Sequence, residues 1–340
     1  MNWLPNKRSQ NSSIGDKNHL VRWTSTTTSQ VIKLMICLVG TGMFLSGDMD
    51  SLKLNSWASA SSKQIASKIN QIANDITVKV SDQDFLGSGF IVQQSGQKYL
   101  VLTNQHVLRA GSAPYTIETA NGHVYPANIV TGISDRNYDY DLAILEFTAD
   151  QTYPTAKLGS SLFLEVGEPI FAAGFPYNQS AAPAPPMSDQ PESIDQFRGL
   201  NIKQGRIAII LKQALAEGYQ IGYTNDVQKG MSGGPLLNSQ GEVVGVNGKH
   251  AYPLWESPEV YQDGSEPCPA LQELITRSSL AIPIEKSIEL KPQLKSLPSA
   301  SDSGTVPKAN FSDQNSQLVT RMQAEARETQ RQCQDYSRSN

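Results

Sequence analysis

Four histidines occur in the 340 residues: His19, His106, His123 and His250. His106 stands out through its neighbours, Leu102-Thr103-Asn104-Gln105-His106-Val107, where an apolar run leads straight into an imidazole. That pattern places the ring at a strand end rather than deep in a core. Thirty-five residues on, Asp141 heads the apolar run Leu142-Ala143-Ile144-Leu145. A carboxylate there loses its water on burial and needs a hydrogen-bonding partner. A histidine is one such partner, and Asp139 is the alternative acid. Ninety-one residues further lies Lys229-Gly230-Met231-Ser232-Gly233-Gly234-Pro235. A serine flanked by glycines leaves room for an acyl group. The backbone amides of Gly230 and Ser232 can converge on a developing oxyanion, each such donor contributing roughly 3–4 kcal/mol. Singly, each residue has a plainer reading: a solvated histidine, a turn aspartate, a glycine loop. Together they make a nucleophile, its base and an orienting acid.

Chain order separates two ways of using these parts. The G-x-S-x-G pattern also marks the nucleophile elbow of α/β-hydrolases, which run Ser, then acid, then His. Here only His250 follows Ser232, and the one carboxylate between them is Glu242. Eighteen residues leave no room for the helices of that fold. The α/β-hydrolase arrangement is excluded.

The elements that must position these residues are short. Apolar and β-branched runs occur at 76–80, 89–94, 99–104, 115–120, 142–147, 169–175, 202–210, 219–224, 233–238, 242–248 and 279–284. Turn clusters such as Gln94-Ser95-Gly96-Gln97 and Asn238-Ser239-Gln240-Gly241 punctuate them. Many short strands without regular helices between them predict an all-β, antiparallel sandwich or barrel. One helix is expected over 61–76, where Ile65, Ile69, Ile72 and Ile76 recur at near-helical spacing. Residues 177–198, rich in Pro, Ser and Ala, read as a surface loop. Residues 287–312 read as a linker, and 313–333, with few apolar anchors, as a solvated helix or disorder.

Composition bounds the partners. Charged residues are 18% of the chain and the formal net charge is −4. Residues 1–60 carry six Lys/Arg against three Asp/Glu, so the acidic excess lies in the body. With no basic stripe, nucleic acid is not an expected partner. Neither a metal-ligand cluster nor a phosphate-cradling glycine loop is recognisable, so no cofactor is expected. Cys37 lies in the apolar run 34–45, which leaves Cys268 and Cys333 either to pair or to remain separate thiols. The basic stretch before that run has the layout of a secretory signal, because twelve apolar residues are short for a membrane span of roughly 17–25. Cleavage near Ala58-Ser59-Ala60, cleavage near Ser46-Gly47, and retention are all compatible with it. The expected location is extracytoplasmic, with membrane contact only through an uncleaved N-terminal segment. The expected organisation is a targeting segment at 1–60, a catalytic domain at 61–286, and a linker with a polar tail at 287–340.

The order His106, Asp141, Ser232 is that of the chymotrypsin-like proteases. With Gly87-Ser88-Gly89-Phe90-Ile91-Val92, Val101-Leu102-Thr103-Asn104-Gln105-His106-Val107 and the stretch from Gly230 to Gly248, the chain resembles a bacterial trypsin-like serine endopeptidase. The Thr-Asn-x-His-Val and Ser-Gly-Gly-Pro segments also resemble the high-temperature-requirement proteases. The resemblance covers about residues 76–285. It implies two six-stranded antiparallel β-barrels with a few peripheral helices and the three residues in the cleft between them. It implies hydrolysis of protein or peptide substrates through an acyl-enzyme. It also implies that Val246, Asn247 and Gly248 are the strand edge that pairs with substrate backbone.

Departures from the family matter. Met231 stands where animal trypsins carry the aspartate used in activation, and the chain after Ile284 is too short for a following peptide-binding domain. Asp226 lies six residues before Ser232, where trypsins place the acid that selects Arg or Lys; the alternative is a loop aspartate facing solvent. The pocket histidine of glutamyl endopeptidases would fall near Asn247, with only His250 close by. Two other classes compete with the enzyme: a non-catalytic binding or scaffold protein of the same fold, and an envelope-anchored interaction protein.

Overall fold

The computed structural model describes residues 49–130, 140–177, 199–252, 258–296 and 313–339. Asp139, most of the expected loop at 177–198 and the apolar run 34–45 lie outside them. A helix, α1 (Met49–Ile76), leads into two closed antiparallel barrels of six strands each. The first contains β1 (Thr77–Ser81), β2 (Phe85–Ser95), β3 (Lys98–Thr103), β4 (Tyr115–Glu118), β5 (Val124–Ile129) and β6 (Ala143–Thr148). Its strand order is β1-β2-β3-β6-β5-β4. The second contains β7 (Pro169–Gly174), β8 (Asn201–Ile210), β9 (Ile221–Tyr223), β10 (Pro235–Leu237), β11 (Val243–Lys249) and β12 (Ser279–Pro283). There the order is β10-β11-β12-β9-β8-β7. Short helices intervene at α2 (Gln105–Arg109), α3 (Pro269–Thr276) and α4 (Glu285–Leu290).

The period-2 alternation of each strand feeds two cores. On β3, Tyr99 and Val101 point into the first barrel, among Val78, Ile91, Ile117, Leu145 and Phe147. Leu100 and Leu102 point outward into a layer with Phe90, Ile144, Phe171, Leu237, Val246 and Ile282. Ile69, Ala73 and Ile76 of α1 join that layer, which explains the helical spacing of the isoleucines. The second barrel is filled by Ile170, Ile207, Tyr223, Met231, Leu236 and Val244. Because both faces of these strands are covered, their sequences read as nearly continuous apolar runs.

The chain beyond β12 differs from a simple linker. Ser287, Leu290 and Leu294 are buried, so α4 and the 3-10 turn Pro292–Ser296 belong to the folded body. A last helix, α5 (Asp313–Ser339), is joined to the N-terminal side of α3 by a Cys268–Cys333 disulfide. Gln323 Nε2 donates to the Val166 carbonyl at 3.2 Å, and Arg277 pairs with Glu325. Among the described residues, no helix is long and apolar enough to cross a membrane.

Candidate active site

Asp141 is the buried centre of the site, with a side chain only 1% exposed. It precedes β6, and its backbone is held from both barrels. Its N–H donates to the Glu217 carbonyl at 2.9 Å, and its own carbonyl accepts Asn104 Nδ2 at 2.8 Å. The carboxylate is satisfied in the same two-sided way. Oδ1 accepts the His106 backbone N–H at 2.7 Å, and Oδ2 accepts both His106 Nδ1 at 2.5 Å and the Tyr219 hydroxyl at 2.6 Å. Arg109 Nη2 lies 3.8 Å from Oδ1 and 3.5 Å from Glu217 Oε1.

His106 follows β3 directly but sits on α2, not on the strand itself. Its ring is 40% exposed. A carboxylate accepts, so in this contact Nδ1 is the donor and Nε2 is the ring nitrogen that Asp141 does not engage.

Ser232 stands in the turn between β9 and β10, with a glycine in the left-handed region on either side: Gly230 at φ +95° before it and Gly233 at φ +84° after it. A Cβ on Gly233 would lie 2.1 Å from the Ser88 carbonyl, so glycine there serves close backbone approach. Ser88 N–H donates to the Ser232 carbonyl at 2.9 Å. The Ser88 hydroxyl donates to the Gly230 carbonyl at 2.7 Å and accepts from Phe175 N–H at 2.8 Å. Strand β2 therefore grips the serine turn across the barrel boundary. Among the described residues, the amides of Gly230 and Ser232 have no hydrogen-bond partner. Ser232 Oγ donates to the Gly248 carbonyl at 3.0 Å.

The remaining expected residues separate. Val246 and Asn247 are fully buried, with their register set against Ile282 and Ala281 of β12. The Asn247 N–H donates to Gly234, and its carbonyl accepts from Gly233. Its side chain is engaged as well, by Tyr223, Ala173 and Pro235. Asn247 is thereby bonded to the two glycines that follow Ser232. Gly248 is different: the β11–β12 register slips between Asn247 and Lys249, so Gly248 leaves the ladder and its carbonyl reaches Ser232. Asp226 has a side chain 76% exposed, with Lys203 Nζ 3.7 Å away, and His250 is exposed. Sequence reasoning missed Ser88, Glu217 and Tyr219. Only Ser88 carried any signal, as part of a glycine-flanked strand. No group of three His, Cys, Asp or Glu side chains is placed to hold a metal ion among the described residues.

Residues 87–246 match the family described as Trypsin-like peptidase domain. The chain is 32% identical to Serine protease HTR4 of Rattus norvegicus over 162 residues, which are 47% of this chain and 29% of that protein. It is 27% identical to Serine endoprotease DegS of Haemophilus influenzae over 238 residues, 67% and 61% of the two chains. Against a probable periplasmic serine endoprotease DegP-like of Pseudomonas savastanoi pv. phaseolicola it is 28% identical over 216 residues, 62% and 35%. The chain thus spans from 29% to 61% of the length of these relatives.

Proposed function

We propose that this chain, whose residues 87–246 form a trypsin-like peptidase domain, is a serine endopeptidase acting through His106, Asp141 and Ser232. The observation that carries the reading is the buried Asp141 carboxylate holding the His106 ring by Nδ1, with the other ring nitrogen left as a base. In the reaction, Ser232 Oγ leaves the Gly248 carbonyl and donates its proton to His106 Nε2 while attacking the scissile carbonyl carbon. The C=O pair moves onto oxygen, where the Gly230 and Ser232 amides receive it. His106 then gives the proton to the leaving amine, whose bond to carbon breaks to leave an acyl-enzyme. Water activated by the same base releases the acid and restores Ser232. Asp141 fixes the ring tautomer and stabilises the imidazolium.

A preference for Arg or Lys before the scissile bond rests on Asp226 alone. An exposed carboxylate with a lysine beside it gives that preference no support, so we propose none. An extracytoplasmic location is supported by the basic stretch before residues 34–45 and by the Cys268–Cys333 bridge, since disulfides persist mainly in oxidising compartments.

Labelling with a fluorophosphonate, together with cleavage of a denatured protein substrate, tests the function. Wild type should label and cleave, and Ser232→Ala should do neither. His106→Ala should be comparably severe, and Asp141→Asn should lose about 10⁴ in kcat, because an amide in place of the carboxylate leaves the His106 ring in the wrong tautomer. Full peptidase activity in Ser232→Ala would overturn the reading.

A further inference from the structure

Tyr219 precedes β9 in the second barrel, yet its hydroxyl ends on the carboxylate that heads β6 in the first. The side chain is fully buried, and the bond to Asp141 Oδ2 is 2.6 Å long. Oδ2 is also the oxygen that takes the His106 ring proton, so the phenol and the imidazole share one acceptor atom. Room for the phenol is made by one residue. A Cβ on Gly248 would lie 2.2 Å from the Tyr219 hydroxyl oxygen and 2.4 Å from its Cε1. Any other residue at 248 would displace the ring. Lys249 Nζ stands 4.9 Å from the ring centroid, itself held by Glu259 at 2.7 and 3.0 Å. Glu217, two residues earlier and at φ +60°, takes the Asp141 N–H on its carbonyl. One loop of the second barrel therefore grips Asp141 by backbone and by side chain.

We propose that Tyr219 is a positioning residue for the reaction, its hydroxyl fixing the Asp141 carboxylate that orients His106, and that Gly248 is a glycine in order to admit it. This rests on the serine endopeptidase reading. The phenol touches no reacting atom. It acts by limiting the rotation of the carboxylate and by sharing its negative charge. Without that donor, Oδ2 keeps more of its charge for the ring, binds the imidazolium more strongly and raises its affinity for a proton. The orientation that serves catalysis is at the same time less restrained. Burial first, and the Asp141 charge second, hold the Tyr219 phenol well above the usual tyrosine range, so it stays a donor wherever the enzyme works.

The test is Tyr219→Phe in the full chain, with kcat and KM measured across pH on a peptide substrate alongside the rate of fluorophosphonate labelling. The expected result is a kcat lower by roughly 10- to 100-fold, the span of a hydrogen bond to a charged group. KM should hardly change, and the acidic limb of kcat/KM should move to higher pH. Tyr219→Met, which also removes the hydroxyl and leaves the Gly248 carbonyl on Ser232 untouched, provides the same reading if Tyr219→Phe does not fold. A folded Tyr219→Phe with wild-type kcat and an unmoved acidic limb would overturn the proposal, even if its melting temperature fell. Failure of the wild type itself to label or cleave would instead remove the endopeptidase reading, so the two failures are distinguishable.

Discussion

The backbone N–H of Tyr177 donates to the Lys229 carbonyl at 2.7 Å, and this bond sets the direction of the neighbouring Gly230 N–H. In a trans peptide the C=O and N–H point opposite ways, so a carbonyl drawn toward Tyr177 turns the Gly230 amide away from it. The Met231–Ser232 peptide is fixed alike, by Gly234 N–H on the Met231 carbonyl at 3.1 Å. Between them, the Gly230 carbonyl is held by the Ser88 hydroxyl. The two candidate oxyanion donors are thus aimed by clamps on the carbonyls around them, before any substrate arrives.

Ser88→Ala should expose how much catalysis depends on that aiming. The substitution leaves the Gly230 carbonyl and the Phe175 N–H without their present partner, each at a cost of about 1–3 kcal/mol if buried and unpaired. Loosening the turn weakens an interaction felt mainly in the transition state, so kcat should fall and KM should stay near wild type. Steady-state kinetics at saturating substrate decide it. An unchanged kcat would mean that Tyr177 and Gly234 aim the donors unaided.

Much of this arrangement was legible in the chain, and the gaps have physical reasons. The strands buried on both faces announce themselves as apolar runs, and eleven of the twelve coincide with expected segments. Strand β5 does not, because Ala127 is its one buried residue, Val124 is 59% exposed, and Pro126 interrupts it. The juxtaposition of His106 with Asp141 could be read because each stands at the end of an apolar run, where a polar side chain needs a reason. Tyr219 could not. In Tyr219-Gln220-Ile221-Gly222-Tyr223 it looks like an ordinary strand aromatic, and its hydroxyl partner is 78 residues away. Nor could the bonds of Asn247 to Gly233, Gly234, Ala173 and Pro235 be read, because its partners lie on other strands and turns and Val246-Asn247-Gly248 has the texture of any strand.

The specificity prediction follows from solvent exposure. Asp226→Ser should leave the ratio of cleavage after Arg, Glu, Phe and Ala within about twofold of wild type, since an exposed charge paired with Lys203 contributes little to a partner in water. A panel of peptides differing only before the scissile bond measures this. Loss of a basic preference in the variant would return Asp226 to the base of a substrate pocket.

Stability should depend on the bridge between α3 and α5. Cys268 and Cys333 close a loop over a separation of 65 residues, for which chain entropy gives roughly 4 kcal/mol, with measured cases commonly 2–4. Cys333→Ser, Cys268→Ser and the double variant should therefore share one lowered melting temperature, and a reductant should bring wild type down to it. Peptidase activity at low temperature should persist, because the bridge touches none of His106, Asp141 or Ser232. Additive losses in the double variant would show that each cysteine matters for packing rather than for the bond.

Alkaline pH should weaken the fold through its buried tyrosines. Tyr223 is fully buried, donates its hydroxyl to Asn247 Oδ1 at 2.9 Å, and has its acidity suppressed by burial to far above the usual range. A tyrosine in the unfolded chain ionises near pH 10. Since the folded value is the higher one, the contribution to stability is complete below about pH 10 and is lost as pH rises toward the folded value. Wild-type melting temperature should accordingly hold up to about pH 9.5 and then decline with a slope set by the groups that cannot ionise in place. Tyr223→Phe removes one such group. It should be less stable than wild type at neutral pH, because Asn247 Oδ1 loses its donor, and should show a shallower decline above pH 10. Absorbance of the phenolate in the folded protein gives an independent measure, with Tyr223 among those that ionise only on unfolding. Parallel declines in the two proteins, with every tyrosine ionising near pH 10 while the fold persists, would show that Tyr223 is reached by water.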